Sequence, residues 1–423
     1  MHPRPTLRLM LAACAAAALT ACGGGDDSPT TPVDPTPTPT PNSKFTRSAT
    51  WAFTLPAAGQ SVCYDFDAQA EVAGCTGTAW DVKVVSGGRS AELFTNSGPS
   101  GSGAGGAFGS PFVHTWADLL KWNDALIDPA SGAIPATLYT ADAPKSVFTG
   151  SNSIQSAIYE YGLNGGHQLS PNFRVFLIAT NSASADITGA EGAVFALQVT
   201  GYYGGPTGTA SGWPSIRWVN TANPAVVNTA SLDATAGWVY FDLSTGTVSS
   251  EAGNWHIAFN RYNVKLNGGT SGRGTVAGFL SKTPAGFYEA DGSTPVPAQF
   301  AATTHLAGTL ADLTGTQTGP RTAAAWVKDS IGSQLSPAYT GSYPNALDFG
   351  WYSYYPTDAA AAAVGLTQHQ LRANPSAATL VRSGEGHSYA RMHLASIQYA
   401  PATPAYNGAQ TWTFQFDVQP AAQ

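Results

Sequence analysis

The chain repeats itself over a long period, and that repeat limits its possible folds more than any other feature. Phe66-Asp67 precedes Trp80 by 14 residues, and Phe241-Asp242 precedes Trp255 by the same 14. A short apolar run follows each tryptophan: Asp81-Val82-Lys83-Val84-Val85 in the first copy, Ile257-Ala258-Phe259-Asn260 in the second. Next comes a Gly/Ser turn opened by Asn, at Asn96-Ser97-Gly98-Pro99-Ser100-Gly101 and Asn267-Gly268-Gly269-Thr270-Ser271-Gly272. Later an aromatic run (Tyr159, Tyr161; Trp351, Tyr352, Tyr354, Tyr355) leads to His167-Gln168-Leu169 and His369-Gln370-Leu371. Each copy closes on an alternating segment containing Ile216 or Phe414. The offset between copies drifts from 175 at the tryptophans to 198 at these closing segments, as loop insertions would produce. Such a period is far too long for a solenoid. It reads as two homologous domains in tandem, 44–221 and 237–421, with the boundary near Asn220 to Ala236.

The repeated segments alternate apolar and polar residues and are bounded by Gly, Pro and Asn. With 46 Gly and 29 Pro in the chain, this describes many short strands separated by turns. The expected class is all-β, with antiparallel sheets. Trp116 to Ile127 is the one long helical candidate, since residues 116, 119, 120, 126 and 127 roughly suit one face. Asp358 to Val364 reads as a short helix or an Ala-rich loop.

The N-terminus reads as an export signal. Arg4 and Arg8 precede an apolar stretch from Leu9 to Leu19, too short to span a bilayer as a stable helix. Leu19-Thr20-Ala21-Cys22 has the form of a lipobox. Residues 1–21 are then a lipoprotein signal peptide, and Cys22 carries the lipid that holds the protein at a membrane. Gly23, rather than Asp, follows the cysteine and favours the outer membrane. Residues 22–43 hold one large apolar residue, Val33, and read as a disordered Pro/Thr-rich tether. Cys14 leaves with the signal, so Cys63 and Cys75 remain, and in an exported protein a disulfide between them is expected. A net charge of −7 with 11% charged residues argues against nucleic acid as a partner.

Together these residues carry a resemblance. Gly237-Trp238-Val239-Tyr240-Phe241-Asp242-Leu243, Asn254-Trp255-His256-Ile257-Ala258-Phe259 and the Gly-rich run Asn267 to Gly274 resemble the HmuY family of haem-binding lipoproteins. Trp351-Tyr352, His369, Val381-Arg382 and Tyr389-Ala390-Arg391 fit the same pattern. The resemblance covers most of 237–419 and, more faintly, 51–220. It implies an all-β fold and the capture of haem outside the cell, for delivery to a TonB-dependent outer-membrane receptor. One departure stands out: copy one has Trp80-Asp81, the family's usual pair, where copy two has Trp255-His256.

Haem iron takes axial donors such as His or Met in an apolar, aromatic pocket. His167 and His369 occupy equivalent places in the two copies and are the first ligand candidates, with His256 a third. Tyr352 and Tyr389 are candidates for contact with the porphyrin. A histidine repeated after an aromatic run also fits a turn cap, and His256 also fits a substitute for a structural Asp. His387 and His393 would share one face of a regular strand with Cα atoms ~20 Å apart, too far to bind one metal.

Two enzyme-like motifs carry little. Gly386-His387-Ser388-Tyr389-Ala390 lacks the strand-to-helix context of a nucleophile elbow, and Gly101 to Gly106 matches G-x-G-x-x-G without a βαβ unit. The expectation is a non-enzymatic haem-binding lipoprotein. The alternative is a glycan- or protein-binding surface lipoprotein on the same duplicated fold.

Overall fold

Alternation is the simplest cause of structure in this chain. In the strand Arg47–Thr54, Ala49, Trp51 and Phe53 turn inward while their neighbours face solvent. In Gln410–Gln419, Trp412, Phe414 and Phe416 do the same. A period of two puts each set on one sheet face, and the two strands pair antiparallel with Trp51 opposite Phe414. The computed structural model describes residues 43–150, 157–163, 165–183, 192–300, 305–320 and 322–422. The segment expected to be a signal, 1–21, Cys22 and the expected tether up to residue 42 lie outside the described residues. No helix among the described residues is long and apolar enough to cross a membrane.

The protein is all-β, built on two central antiparallel sheets that share one main strand order, the first with the extra short strand His114–Thr115 beside Ala377–Arg382. One runs in the order 47–54, 410–419, 389–399, 377–382, 106–108. The other runs 223–231, 210–220, 194–204, 175–179, 277–282. Beside each lies a four-stranded sheet, ordered 70–71, 61–65, 82–86, 91–95 and 247–249, 239–242, 257–260, 263–266.

With Asn223–Ser231, which precedes repeat two, counted with it, these are corresponding strands of the two copies, but they are combined crosswise. The front of repeat one packs with the back of repeat two, giving a core that includes Trp51, Phe66, Val82, Trp351, Trp412 and Phe414. The back of repeat one packs with the front of repeat two around Tyr159, Phe176, Trp218, Phe241 and Phe259. We call the first the split module (44–145 with 330–422) and the second the inserted module (146–329).

The chain crosses between modules at Ala143–Lys145 and Ser330–Gly332, and these two crossing segments pair antiparallel, Pro144 opposite Ile331. The stretch between the two sequence repeats contains a strand, Asn223–Ser231, joined to Ala210–Asn220 by the two-residue turn Thr221-Ala222. A turn this short leaves antiparallel pairing with its neighbour as the available arrangement.

Each central sheet is covered on both faces. Val175–Ala179 is buried throughout: Phe176 and Ile178 face the small sheet, and Val175, Leu177 and Ala179 face Leu313 and Trp326. In the split module Leu380 and Ala378 face Leu119 and Trp122.

The long helix expected at Trp116 to Ile127 is corrected to one turn, Trp116–Leu119, N-capped by Thr115. Tertiary partners take the backbone groups that a continuing helix needs. The Arg391 guanidinium donates to the carbonyls of Leu119 and Trp122, Lys44 N–H donates to Asn123 O, and Ala125 N–H donates to Gln419. Asp358–Ala362 is a short helix capped by Thr357. Cys63 and Cys75 are disulfide-bonded, with Cα atoms 5.4 Å apart.

Candidate functional site

The Asn/Gly turns shared by both repeats are backbone clamps. Asn96 Nδ2 donates to the carbonyls of Trp80 (2.8 Å) and Gly77 (3.0 Å), and its Oδ1 accepts from Gly103 N–H at 2.9 Å. Asn267 repeats the pattern with Trp255 O and Gly274 N–H, both at 3.0 Å. Within the turns, a Cβ on Gly98 would stand 2.0 Å from Asp142 O, and one on Gly269 would stand 1.9 Å from Asp329 O. Glycine is required because backbone lies against backbone. The same reason accounts for the G-x-G-x-x-G match: Gly103, Gly105 and Gly106 press on the carbonyls of Gly384, Asn96 and Tyr139.

The elbow-like serine is also structural. Ser388 is buried at the start of the strand Tyr389–Tyr399 and donates to Asp67 Oδ2. Asp65, Asp67 and Asp81 bring carboxylate oxygens within 4.8 Å of one another. Each already has work in the fold. Asp65 accepts from Ala68 N–H, Asp67 meets Ser388 and Arg47, and Asp81 accepts from the N–H groups of Phe66 and Gly384. Burial holds Asp81 well above the usual carboxylate range.

His256 stands where repeat one has Asp81, and it does a similar job. Its Nδ1 accepts from Leu243 N–H at 3.2 Å and lies 3.2 Å from Asp242 Oδ1. Burial lowers its pKa, against the pull of Asp242, which suits an acceptor nitrogen.

His167 and His369 share one arrangement. Tyr161 Oη lies 2.7 Å from His167 Nδ1, and Tyr354 Oη lies 2.7 Å from His369 Nδ1. Two residues on, Leu169 N–H donates to Tyr203 Oη and Leu371 N–H donates to Tyr399 Oη. In both histidines Nε2 has no hydrogen-bond partner among the described residues. His369 is half-buried at φ +68°, its ring edge-on to Tyr406 at 5.3 Å. Tyr406 in turn lies under the Arg89 guanidinium at 4.6 Å. His167 is exposed. Sequence spacing did not reveal the tyrosine partners, because Tyr161 precedes its histidine by six residues and Tyr354 by fifteen.

The crosswise assembly decides which candidates meet. His256 and His369 belong to one sequence repeat but sit in different modules, whereas His167 and His256 share the inserted module. Tyr352 and Tyr389 both lie buried in the split module. Tyr352 donates to Ala91 O at 3.1 Å, and Tyr389 packs on Tyr139 at 5.0 Å.

The remaining histidines are set in the fold. His393 is held between Pro375 O and Gln415 Oε1 and stacks on Trp116, and His387 pairs with Glu385 at the surface. His114 is wedged among Phe108 and Trp122, and His305 against Phe287.

No curated protein matches the chain. The family model described as HmuY protein matches residues 234–410, and it is to that family that this part of the chain is similar.

Proposed function

We propose that the protein is a haem-binding lipoprotein of the bacterial envelope, made of two HmuY-like units, with His369 and His167 as iron donors. The observation that carries this reading is the HmuY match over 234–410, which contains His369. The chemistry of the donors fits. When Nδ1–H donates to the tyrosine oxygen, the ring orientation is held and the lone pair of Nε2 is left for a metal, the arrangement common among ligating histidines. Bound haem would be cargo, and Tyr354 and Tyr161 would be the residues that orient the donors.

Cys22 and the tether would hold the modules out from the outer membrane, about 60 Å at full PPII extension, where haem passes to a TonB-dependent receptor. The reading is of a binding protein, as the HmuY match suggests.

Haemin titrated into residues 22–423 carrying Cys22→Ser tests the proposal. A saturable Soret shift is expected, lost in the His167→Ala/His369→Ala double variant. Absence of the shift removes haem binding, and a shift that survives the double variant removes these two ligands.

A further inference from the structure

A cleft of about 530 Å³ opens in the split module between the hairpin of Val82–Ser86 and Ala91–Thr95 and the segment 335–352. Its wall is a run of aromatic rings. Tyr339 meets Phe349 at 5.3 Å, and Phe349 stacks on Tyr352 at 5.1 Å with planes 17° apart. Tyr339, at the outer end, is 54% exposed. Ser90, Glu92 and Lys145 also line the cleft. The cleft exists only because of the crosswise assembly: the hairpin comes from repeat one, the aromatic wall from repeat two, and Lys145 from a crossing segment.

The geometry points to a saccharide site, for a neutral, short oligosaccharide of pyranose rings. Three features select that class. Aromatic rings ending in the exposed Tyr339 suit a flat, weakly apolar ligand surface, and a pyranose with equatorial hydroxyls can turn its axial C–H bonds toward such a ring. The polar side offers hydroxyl, carboxylate and ammonium groups suited to sugar hydroxyls, in a cleft within the usual ligand range of ~300–1,000 Å³. Among the described residues the charged ones that line it are Glu92 and Lys145, of opposite sign, which favours no net ligand charge. Among the described residues no His, Cys or Met lines the cleft, and a single cation is a poor match for a porphyrin with two carboxylates. The site is therefore separate from the histidines proposed to hold iron.

Cellotriose titrated into residues 22–423 carrying Cys22→Ser, followed by intrinsic fluorescence and saturation-transfer NMR, tests this. We expect saturable binding with Kd near or below ~1 mM. Tyr339→Ala should weaken it at least about tenfold. Tyr339→Phe should retain most of it, and Tyr343→Ala, exposed and outside the cleft, should leave it unchanged. Haemin titration of the same Tyr339→Ala variant should match the parent, which keeps this test independent of the haem proposal. No cellotriose binding, or binding that Tyr339→Ala leaves intact, overturns the saccharide site. Haemin binding that is lost in Tyr339→Ala overturns it too, by making the cleft the haem pocket.

Discussion

Asp142 and Asp329 are counterparts, one at each point where the chain leaves one module for the other. Asp142 Oδ2 accepts from Thr95 N–H and Asp329 Oδ2 from Leu266 N–H, both at 2.9 Å. Thr95 and Leu266 are the residues just before the two clamp asparagines, Asn96 and Asn267. Each carboxylate thus ties a crossing segment to the hairpin of the module it leaves. Both are buried, and burial raises both pKa values, that of Asp329 to about 6.

A pH dependence follows from Asp329. An Asp in an unfolded chain titrates near 4, so the folded protein holds this proton more tightly than the unfolded chain does. The group's contribution is therefore fully present below about pH 4 and is lost as pH rises through about 6. Asp329→Asn keeps an oxygen acceptor for Leu266 and cannot ionise. Relative to the parent it should be near neutral at about pH 4 and more stable by up to about 3 kcal/mol above about pH 7, measured by denaturant unfolding.

His256 titrates in the opposite sense. Its folded pKa is depressed, so its contribution is present above about pH 6.5 and is lost as pH falls through the folded value. His256→Ala removes the acceptor for Leu243 N–H and should cost about 1–2 kcal/mol at neutral pH. His256→Asn, which supplies an oxygen, should recover most of that and remove the acid-side loss. Thermal melts at about pH 7 rank the two variants, and melts at about pH 5 and 7 show whether the acid-side loss of the parent is gone from both.

The clamp glycines should be intolerant in proportion to what a Cβ meets. Gly269→Ala and Gly98→Ala place a carbon about 2 Å from a backbone oxygen at positive φ, and each should cost about 3 kcal/mol or more. Gly237→Ala meets nothing within 4 Å and should stay within about 0.5 kcal/mol. Expression level and melting temperature of the three variants give the ranking.

Crosswise packing predicts where a core lesion is felt. Phe241 belongs to repeat two but shares its core with Tyr159, Phe176 and Trp218 of repeat one. Phe241→Ala should cost about 3–5 kcal/mol. It should raise amide exchange in Val175–Ala179 more than in Gln410–Gln419, although the latter is in its own repeat. Hydrogen exchange read by mass spectrometry resolves the two strands.

The iron-donor proposal has a second-order test. Tyr354→Phe removes the Nδ1 partner of His369 while keeping the ring. It should lower haemin affinity by about 10–100-fold in a chain that already carries His167→Ala. An unchanged affinity would show that Tyr354 does not orient the donor.

Much of this was legible in the residues. Alternation in Arg47–Thr54 and Gln410–Gln419 reports which side chains turn inward, because a strand's period is local. The Asn and Gly pattern marked both clamps, though not what they hold. The helix at 116–127 was misread because its ending is set by Arg391, Lys44 and Gln419, all remote in sequence. The Tyr161–His167 and Tyr354–His369 pairs were hidden for a similar reason, since loops of different length bring the partners together.

The residues by themselves determined an all-β chain with a long-period repeat of its strand and turn pattern, since strand alternation and turn chemistry act over a few neighbours. Which half joins which was decided only in three dimensions. The two copies have matching strand orders, and alternation within a strand does not specify which partner it pairs with. The choice is made at the joint. The turn Thr221-Ala222 is too short for anything but a hairpin, so Asn223–Ser231 must lie against Ala210–Asn220, and the front of repeat two is drawn into the sheet that ends repeat one. Arg47–Thr54 is then left to close the other sheet against Gln410–Gln419, the last strand of the chain.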